Sequence, residues 1–136
     1  MPVIEPASTF SELRRQEAAS PKILFTVDAT CVPGSPVHEL SALTAVTSAA
    51  VRAASGHVLD ASHVIFPNGA ITLVLVLAES HLSVHTWPEE NMVAIDLFSC
   101  GKIDGDMVID HLVRDLRLES VTIRQVPRGV SRQRSG

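Results

Sequence analysis

Apolar residues along this chain change their spacing several times, and each change marks an element. Ile23, Phe25, Val27 and Ala29 alternate with more polar neighbours, the pattern of a strand with one buried face. Past the loop Cys31-Val-Pro-Gly-Ser-Pro, the period lengthens, and Leu40, Leu43, Thr47, Ala50 and Ala54 fall on one side of a helix. Ser35 and Pro36 supply its cap and first position, and Gly56 its stop. Extended segments then follow over 57–66, 70–78 and 81–86, with Pro67-Asn68-Gly69 turning the chain between the first two. Trp87-Pro-Glu-Glu-Asn91 is a bend, and Met92–Phe98 reads as another strand. Ile109, Leu112, Val113 and Leu116 form the stripe of a second helix, and Val121–Val126 a last strand.

The short turns between the central strands favour antiparallel pairing, because parallel strands need long crossovers. The pattern predicts an α+β fold: a two-layer sandwich, an antiparallel sheet with two helices on one face. The second sheet face then needs cover, which a second copy would supply, so a homodimer is expected. Residues 21–126 make up this domain. Before it, residues 1–20 read as a polar N-terminal extension, where Thr9 and Glu12 have capping-box spacing and predict a short helix over about 10–18. After it, residues 127–136 hold too little apolar content to pack and read as a disordered tail.

Composition narrows the function. The 136 residues suffice for one core, and with 46% hydrophobic but 4% aromatic residues that core is aliphatic. There is no Tyr, hence no tyrosyl general acid. A net charge of −4 weighs against a nucleic-acid partner; Arg124, Arg128, Arg132 and Arg134 read as a solvated basic tail. No run reaches the ~20 apolar residues of a membrane span, and the N-terminus lacks the basic-then-apolar pattern of a secretory signal. The expectation is a cytoplasmic protein, off the membrane, with Cys31 and Cys100 as free thiols.

The densest chemistry lies in Ala78-Glu79-Ser80-His81-Leu-Ser-Val-His85-Thr-Trp87-Pro-Glu89. His81 and His85 have the spacing of two metal ligands on a helix, but the alternation and Pro88 make this a strand. Residues four apart are then about 13 Å apart, so no metal is expected. Ser80 and His85 could be nucleophile and base, yet no Gly-x-Ser-x-Gly elbow surrounds Ser80. Single polar residues in a strand are ordinary; this density of them is not.

The stretch Glu79–Glu89 resembles the cleavage-site signature of bacterial and archaeal pyruvoyl-dependent S-adenosylmethionine decarboxylases. Ala94-Ile-Asp-Leu-Phe-Ser-Cys100-Gly101 resembles that family's following strand, and Phe66-Pro-Asn-Gly69 its preceding strand end and turn. The resemblance spans about Leu24 to Val126. It implies self-cleavage between Glu79 and Ser80, Ser80 becoming a covalent pyruvoyl group that forms a Schiff base with the substrate amine. It further implies that His85 assists processing, that Thr72 stabilises the oxyanion where the family usually has a serine, and that Cys100 donates the proton after carbon dioxide leaves. Phe66, Trp87 and Glu89 would bind substrate: a stacking face, a pocket wall and a ribose acceptor.

Two departures stand out. Pro21-Lys22-Ile23 replaces a Gly-x-His element, and Gly69-Ala-Ile-Thr72-Leu73 replaces a Gly-Val-Ser-Gly-like turn. The implied reaction is decarboxylation of S-adenosylmethionine for spermidine synthesis. The alternatives are a pyruvoyl-dependent ornithine or arginine decarboxylase on the same fold, and a non-catalytic regulatory relative.

Overall fold

A computed structural model of the chain describes residues 21–100 and 103–130. The helix expected over 10–18 lies outside them. The described elements run β1 (Lys22–Cys31), α1 (Leu40–Ala53), β2 (Val58–Ile65), β3 (Ile71–Leu77), β4 (Ser80–Trp87), β5 (Met92–Ser99), α2 (Gly105–Asp115) and β6 (Leu118–Arg128), with single 3-10 turns at Pro36–His38 and Pro88–Glu90. The strands form one sheet in the order β2-β3-β4-β5-β1-β6, and every neighbouring pair is antiparallel. The expected α+β sandwich is present.

Both helices lie on one face of this sheet. Phe25, Val27 and Ala29 of β1, Leu73 and Leu75 of β3, Leu82 and Val84 of β4 and Ile95 and Leu97 of β5 point toward them. Leu43, Ala50 and Val51 of α1 and Val108, Ile109 and Leu112 of α2 meet those strands, making one aliphatic core. Each fully buried aliphatic side chain is worth about 1.5–3 kcal/mol against exposure. The helix layer sits tight on the sheet: a Cβ at Gly105 would come within 2.3 Å of the Phe25 ring.

Two expectations are corrected in detail. The chain does not run from Pro36 into one helix. Glu39 adopts an extended backbone (φ −133°, ψ 123°) and caps α1 afresh, its carboxylate accepting from the Ser41 and Ala42 N–H groups at 3.1 and 2.7 Å. The last strand is also longer at both ends than 121–126. It pairs with β1 from Leu118 to Arg128, so Pro127 and Arg128 belong to the sheet rather than to a tail. Residues 131–136 lie outside the described residues.

Candidate active site

Leu77 pairs with Ser80, so Ala78 and Glu79 are the whole connection between β3 and β4. Two-residue hairpins require a left-handed backbone, usually given by Gly or Asn. Neither is here, and Ser80 carries the strain instead, at φ 137°, a conformation costing a non-glycine residue about 1–3 kcal/mol. The turn is also buried, with Ala78 at 0% and Glu79 at 3% exposure. Turns normally lie in water because their backbone groups need partners.

This turn finds its partners in protein. The Ala78 N–H donates to the His57 carbonyl at 3.0 Å. The Glu79 carboxylate accepts from the His57 backbone N–H at 2.9 Å and from its ring Nδ1 at 2.8 Å. The Glu79 carbonyl oxygen accepts from the Cys100 N–H at 3.1 Å and the Cys100 thiol at 3.0 Å. Register explains the last pair: Ser80 lies beside Ser99, so the residue after β5 reaches the carbonyl before β4. Ser80 Oγ sits 3.5 Å from Cys100 Sγ. A hydroxyl therefore stands next to a peptide carbonyl that two donors polarise, the arrangement needed to add the hydroxyl to that carbonyl.

A second group gathers toward the other end of β3 and β4. Thr72 pairs with His85 across the strands, Thr72 Oγ1 lying 3.2 Å from His85 Nδ1. The Trp87 ring lies 6.5 Å from that of His85. Glu89 accepts from Asn68 Nδ2 at 3.3 Å. Phe66, at 47% exposure, and Trp87, at 37%, keep ring surface open to a ligand. Nearby, Gly34, His38, Asn68, Pro88 and Asn91 border an open cleft of about 390 Å³.

The sequence-predicted site therefore divides in two. Glu79, Ser80 and Cys100 come together. Thr72 and His85 come together as well, but not with Ser80. His85 is five strand residues from Ser80, about 16 Å at 3.3 Å per residue, and Thr72 is as far from Leu77. Within one chain neither reaches Ser80. The sequence reading missed His57, the residue that holds Glu79. Cys31 stands apart: it is buried, its thiol donates to the Asn91 carbonyl at 3.5 Å, and burial pushes its pKa up. Burial thus favours its protonated form, with His38 Nε2 3.6 Å from the sulfur.

Among the described residues no helix is long and apolar enough to cross a membrane. Comparison with known proteins is specific. Residues 24–129 match the family model described as S-adenosylmethionine decarboxylase. S-adenosylmethionine decarboxylase proenzyme 2 of Bacillus cereus is 40% identical over 75 residues, 54% of this chain and 61% of that one, so the match spans under two thirds of that relative. The proenzyme of Picrophilus torridus is 34% identical over 110 residues, 78% of each chain. In structure, the crystallised adenosylmethionine decarboxylase of Aquifex aeolicus superposes with a TM-score of 0.74 at 22% identity, covering 86% of this chain and 98% of that one, a likeness of fold.

Proposed function

Because the chain belongs to the S-adenosylmethionine decarboxylase family of bacteria and archaea, we propose that it cleaves itself between Glu79 and Ser80 and then decarboxylates S-adenosylmethionine, the product serving spermidine synthesis. The observation carrying this reading is the buried hairpin turn, in which the Glu79 carbonyl rests on both Cys100 donors beside the Ser80 hydroxyl.

Cleavage starts when Ser80 Oγ adds to the Glu79 carbonyl carbon. The oxyanion is held by the Cys100 N–H and thiol. The C–N bond breaks, the hydroxyl proton passes to the Ser80 nitrogen, and an ester remains. A base then takes the Ser80 α-proton, the Cβ–Oγ bond breaks, and Glu79 departs as a carboxylate. One water displaces ammonia and leaves a ketone at position 80. That pyruvoyl group supplies a carbonyl that can take up the substrate amine and the electrons released with carbon dioxide. The space fits it: position 80 opens a strand, with the Cys100 thiol 3.5 Å from its side chain. Cys100 is the proton donor of this reading, since a thiol is ordinarily protonated at neutral pH. Phe66 and Trp87 offer aromatic faces to a sulfonium and a purine, and Glu89 accepts from the ribose hydroxyls.

The base is His85, with Thr72 oriented beside it, and both come from a second copy. The open sheet face exposes Val64, Val76, Trp87 and Val126, an apolar surface that calls for cover. A two-fold arrangement of two such faces, strands reversed, lays the Thr72–His85 end of one copy over the Ser80 end of the other. The working unit is thus a homodimer of cleaved protomers. Sedimentation should give a dimer at micromolar concentration, and a fully active monomer would contradict this arrangement.

Substrate is tested by release of labelled carbon dioxide under identical conditions. S-adenosylmethionine should be turned over and ornithine and arginine left essentially untouched, with Phe66→Ala raising KM by about tenfold, the worth of one lost stacking contact. Release from ornithine or arginine alone would overturn the substrate while keeping the chemistry.

A further inference from the structure

The proposed self-processing uses the Glu79 carbonyl but gives no task to the Glu79 side chain. That carboxylate has 4% of its surface exposed, and burying a charged group costs heavily unless hydrogen bonds replace water. Among the described residues these replacements come from His57: its backbone N–H on Oε1 at 2.9 Å and its ring on Oε2 at 2.8 Å. The His57 carbonyl adds a third bond, accepting from the Ala78 N–H at 3.0 Å. Residue 57 thus grips the turn at its backbone and at its side chain.

The grip has little slack. Helix α1 ends with Ser55 in the left-handed region at φ 68° and the Gly56 N–H reaching back to the Val51 carbonyl at 2.8 Å, a closed helix terminus. Gly56 is pressed so close that a Cβ there would lie 2.6 Å from both Ile103 Cδ1 and Val51 Cγ1. The helix end therefore delivers the next residue, His57, to a fixed place.

We propose that His57 is a positioning residue for cleavage, a role that rests on the self-processing reading. With its side chain clamped by His57 and its carbonyl seated on Cys100, Glu79 is held at both ends, and its carbonyl carbon stays in line with Ser80 Oγ. Releasing the side chain frees the peptide to rotate off the Cys100 donors. A displacement of about 1 Å in such a geometry costs up to about a hundredfold in rate. The affected step is formation of the ester, before any α-proton is removed.

The test follows freshly translated full-length chain through a chase. Mass analysis separates intact amide, ester split by hydroxylamine, and cleaved pieces. His57→Phe keeps a ring and loses the donor. It should mature about ten- to a hundredfold more slowly, as expected for a lost hydrogen bond to a carboxylate, and should accumulate amide, not ester. His57→Asn, whose Nδ2 stands where the ring Nδ1 stood, should mature within about threefold of wild type. If the Phe variant does not fold, His57→Leu takes its place under the same thresholds. A donorless variant maturing at the wild-type rate, an Asn variant as slow as it, or accumulation of ester would overturn the role of His57 while leaving self-processing intact. Wild-type chain that never cleaves would instead overturn the reading beneath it.

Discussion

Ser80→Ala should stay a single uncut chain, carry no group reactive to carbonyl reagents, and release no carbon dioxide above background. The substitution removes one oxygen and little else. Alanine bears the same backbone strain at φ 137° as serine, and β4 keeps its pairing with β3 and β5 through backbone bonds. The fold should therefore survive, and circular dichroism can confirm it. What is lost is the hydroxyl that attacks the Glu79 carbonyl in the proposed reaction, the first step of both cleavage and cofactor formation. Wild-type chain should instead run as two pieces, residues 1–79 and 80–136, the second blocked to Edman sequencing. A Ser80→Ala protein that is cut, or that decarboxylates, would remove Ser80 from the chemistry.

His85→Ala and Cys100→Ala should fail at different stages. Cys100→Ala loses the thiol at 3.0 Å from the Glu79 carbonyl but keeps the backbone N–H at 3.1 Å. Cleavage should slow without stopping, by up to the about 10²–10³-fold cost of one oxyanion donor. Once cut, the protein should turn over poorly, since the thiol beside position 80 is the reading's proton donor. His85→Ala should accumulate uncut chain or hydroxylamine-sensitive ester. Distance adds a sharper expectation. Because His85 lies about 16 Å along the strand from its own Ser80, chains carrying His85→Ala should be cut when co-expressed with Ser80→Ala chains, which lend an intact His85. Wild-type turnover in Cys100→Ala, or no rescue in the mixed dimer, would refute the respective assignment.

Strands with a clean period of two were legible in the sequence because burial on one face writes that period directly. The inward residues Phe25, Val27 and Ala29 of β1 are the ones the alternation picks out, whereas β3 is apolar at nearly every position and its inward face is decided by packing alone. The full length of β6 was not legible. It is an edge strand, most of its residues are exposed, and Thr122, Arg124 and Gln125 carry no burial signal. The break before α1 was hidden because Glu39 acts as a cap by virtue of its extended backbone, which composition does not record.

In the site, Glu79, Ser80 and Cys100 were found by resemblance to a family, and register explains why they meet. The Thr72–His85 pair follows from the two-residue turn that leads into Ser80, and the strand period alone sets it several residues away from Ser80. His57 gave no signal at all. It lies 22 residues from Glu79, and their meeting depends on where a helix ends and how closely Gly56 packs.

The strand order bears on what the proposed cut would leave behind. Strands β1, β2 and β3 belong to residues 1–79, and β4, β5 and β6 to residues 80–136, yet β1 lies between β5 and β6. The two pieces are interleaved rather than side by side, so neither can leave without tearing three ladders. Before cleavage, folding is a first-order event of one molecule. Afterwards, regaining the same sheet requires two molecules to find each other, and its yield falls with dilution. A chain cut between Glu79 and Ser80 would thus persist by the slowness of its unfolding rather than by its capacity to refold, and each such molecule would have, in effect, a single folding to spend.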